Sequence, residues 1–293
     1  MTVMSFPVLA ADPGQKFGPW IRGLSGGLIE QLDADLSDTA SKMRVSRRYT
    51  QASVGYAWDK RTIAALSISF GNTDYGFSSL ATIGGLQPWG KIENYQISLP
   101  TRFAIGETTN AFLIPSIETS KESGASTSDG RTAGLIGGIS WKISETLTLG
   151  PGLGCFSEIG GDHTSFPILV IDWEITDNLN LSTGRGLASL QGPGLKLDYK
   201  LAKKWNLGLS ASYEKTRFSL DDTIRGSGSI GEDQSLPLVF SIAYSPWSTT
   251  NITLLLGAKF NGRLQIEDSN NRRLAQTDLE TATIVGLSFS SRF

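Results

Sequence analysis

Residues Ala282–Phe293, at the C-terminal end, read A-T-I-V-G-L-S-F-S-S-R-F. Counting back in twos from Phe293 gives Ser291, Phe289, Leu287, Val285 and Thr283, and the alternate set is Arg292, Ser290, Ser288, Gly286, Ile284 and Ala282. One face is apolar with aromatics near its end, and the other is small or polar with Ile284 as its exception. A side-chain period of two is the mark of a β-strand. A half-buried strand of a soluble sheet rarely runs this long, or ends the chain on a bare aromatic.

The same alternation recurs upstream. Gln51–Trp58 places Ala52, Val54, Tyr56 and Trp58 on one face, turns at Asp59-Lys60-Arg61, and returns through Ala64, Leu66, Ile68 and Phe70. That is a hairpin. Ile97, Leu99, Thr101 and Phe103 are turned back at residues 106–110 into Leu113, Pro115 and Ile117. Four further hairpins follow, across Ser144-Glu145, Thr176-Asp177-Asn178, Ala202-Lys203-Lys204 and Ser245–Asn251. Three of the turns share one template, W-K-I-S-E-T-L-T-L-G, W-E-I-T-D-N-L-N-L-S and Y-K-L-A-K-K-W-N-L-G, so one supersecondary unit is used repeatedly. A weaker first strand, Trp20–Ile29, is diluted by Gly23, Gly26 and Gly27, and an acidic loop follows through Asp33, Asp35 and Asp38.

Bulk composition alone would not single out a membrane protein: 39% of the 293 residues are hydrophobic and mean hydropathy is −0.09. No window approaches the roughly 18 apolar residues of a spanning helix. A transmembrane barrel escapes that test, because only alternate residues face lipid. A net charge of −2 and a pI near 5.6 argue against nucleic acid as a partner. Cys155, the single cysteine, makes no internal disulfide. Met1–Ala11 is apolar and uncharged, with Val8-Leu9-Ala10 as a small-residue cleavage site, and reads as the remnant of a secretory signal peptide. The barrel domain is then 12–293.

The expected fold is all-β: a closed antiparallel transmembrane β-barrel of about 14 strands, with about 12 as the alternative. Six short turns lie on one side and seven long loops on the other, with both termini on the short-turn side. Trp58, Trp141, Trp173, Tyr199 and Trp205 fall beside short turns and form an aromatic ring at one bilayer interface. Pro115, Pro151, Pro167 and Pro193 fall on the outward parity; lacking a ladder donor, they are expected at strand ends or bulges.

With these hairpins, loops and the terminal Phe293, the chain resembles bacterial outer-membrane β-barrels, of the kind usually grouped as domains of unknown function. The last strand carries most of the resemblance, which implies a bacterial outer-membrane location. It also implies that Leu287, Phe289 and Phe293 are an assembly signal read by the barrel-assembly machinery. Outer-membrane lipids and lipopolysaccharide are the other expected partners, with Arg44, Arg47, Arg48, Arg272 and Arg273 as basic loop residues facing lipopolysaccharide phosphates. Barrels of this build include medium-sized pores and channels for hydrophobic substrates. The lumen plug of fatty-acid channels is not visible in the sequence, since only about ten residues separate the expected cleavage site from the first strand.

Charges within the strands fall on the inward parity. Lumen-lining candidates are Arg102, Glu118, Lys142, Asp172, Glu174, Lys196, Asp198, Lys200, Glu214, Lys259, Arg263 and Arg292. A charged wall selects solutes, whereas the same charges paired across the interior would fill it. His163 and Ser165, in H-T-S, have a spacing similar to the histidine and serine of outer-membrane lipid A deacylases, though Phe166 replaces the asparagine expected next. A nucleophile needs a base oriented by a third group, and no partner acid is identifiable, so an exposed loop histidine is the favoured reading. No other catalytic constellation, metal set or cofactor motif is present in the sequence. The functional expectation is a passive pore or solute channel rather than an enzyme. Its alternatives are a structural, non-conducting barrel and an outer-membrane lipid hydrolase using His163 and Ser165.

Overall fold

The computed structural model describes residues 19–37, 41–78, 81–185, 193–222 and 228–293. The signal-peptide expectation lies outside the described residues. Seventeen segments follow one another: β1 (Trp20–Asp35), β2 (Lys42–Ala57), β3 (Ile63–Phe77), β4 (Lys91–Ser98), β5 (Thr101–Ile105), β6 (Thr109–Glu122), β7 (Arg131–Lys142), β8 (Leu147–Ser157), β9 (His163–Thr176), β10 (Leu179–Arg185), β11 (Pro193–Ala202), β12 (Trp205–Ser212), β13 (Glu214–Ser219), β14 (Ile230–Trp247), β15 (Thr250–Glu267), β16 (Arg273–Leu279) and β17 (Ala282–Arg292). Because β4–β5, β12–β13 and β16–β17 are single strands interrupted by a residue or two, the barrel has 14 strands, as its alternation implied.

Each strand pairs antiparallel with the next, and β1 closes on β17, from Gly23↔Arg292 to Gln31↔Ile284. No sheet edge is left along this seam, so backbone groups are satisfied without water, as a membrane requires. The structure is inside-out relative to a soluble sheet. Leu28, Ile68, Ile97, Ile117, Leu153, Leu169 and Leu254 are all exposed, on the outward parity. Such a continuous apolar surface is tolerable only in lipid. Trp58, Trp141, Trp173, Tyr199 and Trp205 are exposed at the short-turn end. Trp20 joins them through an edge-on contact with Tyr56, and Tyr244 through a tilted contact with Trp205. The protein is therefore a closed transmembrane β-barrel.

The prolines are used in two ways. Pro100 interrupts β4–β5 at the point where Pro115 sits opposite on β6, between the pairs Ser98↔Ser116 and Thr101↔Leu113. The carbonyl of Pro100 accepts from Ala65 and that of Pro115 from Leu99, so the two missing donors fall in the neighbouring ladders on either side of β4–β5. Pro193 starts β11, as expected, whereas Pro151 and Pro167 lie inside β8 and β9 without a register shift. In the β2–β3 turn the Asp59 carboxylate accepts the backbone N–H of Arg61 at 2.6 Å, which holds its pKa below the usual value.

Candidate functional site

The lumen is divided at its long-loop end. After Tyr213, β13 stays with β14 but leaves β11, and its tip reaches β6 in one parallel pair, Ser219↔Lys121. Strands β1, β2, β3, β4, β6, β13, β14, β15 and β16 thus close into a narrower ring, completed by the bridge Leu36↔Leu279. An up-and-down ring with an odd number of strands must contain one parallel pair, and β6 with β13 is that pair. Strands β7–β11 lie outside this neck and bound a separate lobe.

Apolar side chains fill the neck. Met43, Tyr75, Ile92, Phe218, Leu264 and Ile266 point inward and are buried. The β3–β4 loop folds in among them: Trp89 is 2% exposed and meets Phe218 at 4.9 Å between ring centroids. Gly84, at φ +54, crosses to β16, where any side chain would press on Ala275. Buried Glu122 ties the crossing down by accepting the backbone N–H of Gly90 at 2.9 Å and of Asp221 at 3.0 Å.

Directly below the stopper lies a buried charge layer. Asp233 accepts hydrogen bonds from Arg47 at 3.0 Å and the Tyr75 hydroxyl at 2.9 Å, with Lys259 at 3.9 Å. Glu214 faces Arg47 at 3.5 Å. Of the predicted lumen residues, Glu214 and Lys259 therefore meet in one cluster. Arg47 belongs to it as well, which corrects its placement among the basic loop residues at the outer rim. It lies on the inward parity of β2, a strand longer than the sequence implied.

A second ionic cluster sits on the other face of β13. Arg217 contacts Glu158 of the β8–β9 loop, Glu267 at 2.6 Å and Asn271 Oδ1 at 2.8 Å, with Glu232 at 3.6 Å. Lys215 adds a bond to Glu232 at 3.2 Å. Sequence reading did not single out this hub, because its acids come from three distant loops and strands. Asn271 also donates to Asp162 at 2.7 Å, so the β8–β9 and β15–β16 loops are fastened together over β13.

The remaining candidates line the wider part of the lumen. Arg102 donates to the carbonyl of Lys60 at 3.0 Å, and Lys196 pairs with Asp198 at 2.8 Å. Asp172 accepts from Asn180 at 2.8 Å. Glu118 and Arg292 take inward positions, and Lys142, Glu174 and Lys200 are exposed on the inward parity near the short-turn rim. Arg263 is the correction in this set: it lies on the outer surface, paired with Asp278 at 3.2 Å. The cause is a bulge at Asn261, which has φ 51 and shifts the register between Leu236↔Phe260 and Gln234↔Arg263. One extra residue moves every later side chain to the opposite face.

The inward wall of β6–β9 is different in character. Phe112, Ile114, Ile136, Phe156 and Ile168 form one apolar cluster, and Phe156 stacks on Phe166 at 5.8 Å. These rings lie over inward glycines. A Cβ on Gly154 would be 2.8 Å from the Phe166 ring, and one on Gly138 2.7 Å from Phe112. Only glycine admits the rings this close to the sheet.

His163 and Ser165 lie on the outward parity of β9, both exposed, in register with Ser157 and Cys155. Among the described residues, no hydrogen bond joins them to one another or to a carboxylate. Asp33, in the acidic loop of the sequence reading, is bonded to Arg44 at 3.1 Å.

No known protein family matches the chain, and no curated protein matches it. Solved structures do. A Pseudomonas aeruginosa FadL homologue shares 11% identity at a TM-score of 0.51, over 94% of this chain and 90% of that one. The deltaS2 mutant of the TodX monoaromatic hydrocarbon channel shares 8% identity at a TM-score of 0.50, over 95% and 91%. The fold is thus that of outer-membrane channel barrels.

Proposed function

We propose that the protein is an outer-membrane solute channel, and that its path runs through the β7–β11 lobe rather than through the neck. The observation that carries this reading is the apolar inward wall in which Phe112 of β6 joins Ile136, Phe156, Phe166 and Ile168 of β7–β9, strands outside the closed ring. Unlike the apolar residues that fill the neck, these rings are only partly buried and line the wall of the lobe rather than pack into a plug. An apolar wall that leads from a charged vestibule accepts small apolar or amphipathic solutes better than ions. The likeness in fold to a monoaromatic hydrocarbon channel supports the same class of solute. The short-turn vestibule carries Lys142, Lys200 and Arg292 against Glu174 and Asp172, so any ion current is only weakly selective.

The test is flux of a small aromatic into liposomes holding the folded barrel, run beside planar-bilayer conductance. Flux above empty liposomes with small, weakly selective conductance supports the proposal. The competing reading is a structural, non-conducting barrel, and the filled neck with its inward loop favours it. Folded insertion with neither flux nor conductance would select that alternative.

A further inference from the structure

Between the apolar stopper and the wider lumen, the charge layer borders a small, partly open cavity of about 10 Å³. Its walls are Ile29 and Gln31 of β1, Val45 and Arg47 of β2, Glu214 of β13, Lys259 of β15 and Ile284 of β17. Two of these side chains are anomalous. Gln31 is 3% exposed, and neither its amide nitrogen nor its amide oxygen is hydrogen-bonded to a protein group. Glu214 is 2% exposed, and neither carboxylate oxygen has a hydrogen-bond partner, the Arg47 guanidinium standing off at 3.5 Å. Leaving one such group unsatisfied costs about 1–3 kcal/mol, and more when it is charged. Four polar atoms of this kind around one space is not an arrangement a folded barrel sustains by itself.

We propose that this cavity is a binding site for a single water molecule, which links β1 to β13. The size matches a single water, which needs about 10–15 Å³ of such volume and two to four polar partners. The chemistry fits both roles of water. Lys259, Arg47 and the Gln31 amide nitrogen donate, while Glu214 and the Gln31 amide oxygen accept. An anion of the same size is repelled by Glu214, and a cation by Lys259 and Arg47. No direct side-chain bond joins Gln31 to Glu214, so the water is the tie that secures the start of β13 where it leaves the wall.

Two measurements test the site. The first is an experimental structure of the barrel in detergent or nanodiscs, at a resolution that shows ordered water. The expected result is one density peak within hydrogen-bond distance of both Gln31 and Glu214. A dry cavity, or a direct Gln31–Glu214 hydrogen bond that closes it, overturns the proposal. The second is labelling by X-ray-generated hydroxyl radicals, which oxidise side chains beside a bound water even where bulk solvent cannot reach. Ile29, Val45 and Ile284 should be labelled above Ile266 of the dry stopper, and in Gln31→Leu they should fall to the Ile266 level. Labelling in the native barrel no higher than that of Ile266, or unchanged in Gln31→Leu, also overturns it. The native arm remains decisive even if that variant fails to fold.

Discussion

Arg22 and Phe293 exchange both backbone hydrogen bonds, at 3.1 Å and 3.0 Å, so the last residue of the chain seals the seam between β1 and β17. Four rungs further along the seam, Phe289 lies over Gly26, where a Cβ would be 2.9 Å from its ring. The aromatic covers a gap that the glycine leaves in the outward face. Closure and the outward apolar row of Leu287, Phe289 and Phe293 are therefore one feature seen twice.

Deleting Phe293 removes the terminal rung and shifts no other register. Outer-membrane levels should fall sharply, with the chain accumulating in the periplasm, while deletion of Thr127 in the exposed β6–β7 loop should leave them unchanged. Quantitative blotting of separated envelope fractions reads the difference. Asn271, a loop residue by sequence, is unsuitable as that control because it holds Arg217 and Asp162.

Arg217→Met tests the hub on β13. Three carboxylates, Glu158, Glu232 and Glu267, lose their shared cation, and their side chains are only 15%, 2% and 13% exposed. Breaking a buried pair from one side costs about 3–5 kcal/mol. Arg263→Met removes an exposed pair and should cost less than about 1 kcal/mol. Urea unfolding in detergent, followed by the shift in gel mobility on heating, should separate the two variants clearly.

The strand count, the two-sided arrangement of turns and loops, and the aromatic girdle were legible because they are local. Each rests on alternation within a strand and on turn residues at its end. Arg263 was misplaced although its signal was present: Asn261-Gly262 is a pair that readily adopts positive φ, and a bulge there flips the parity. The neck was not legible. Pairing Ser219 with Lys121 depends on closing an odd-numbered ring from strands nearly a hundred residues apart, and no local pattern encodes that. The apolar wall was half legible, since Phe112, Phe156, Phe166 and Ile168 have inward parity. Composition alone gives no reason to gather them into one cluster.

Trp89→Ala probes the stopper. Removing a buried tryptophan costs about 3–5 kcal/mol, because its neighbours Phe218 and Tyr75 cannot close the gap fully. Thermal unfolding should report that loss. Solute flux in the surviving folded fraction should stay near that of the unaltered barrel, since the proposed path does not use the neck. A large rise in conductance would instead identify the neck as the pore and Trp89 as its closure.

Ile168→Asp probes the lobe. Ile168 faces the lumen from β9, where its Cβ lies 3.3 Å from the position a side chain on Gly152 would take. It belongs, with Phe112 and Phe156, to the side chains packed against Ile114 and Ile136. Ile168 is only half-buried, so a carboxylate there can hydrate and the fold should survive with its heat-modifiable mobility intact. A charge in that wall breaks the apolar surface, because a solute passing it must leave the carboxylate partly desolvated. Aromatic flux should fall severalfold while ion conductance stays equal or turns more cation-favouring. Ile168→Leu keeps the surface apolar and should retain the flux. Equal flux in Ile168→Asp and the unaltered barrel would take the apolar wall out of the path.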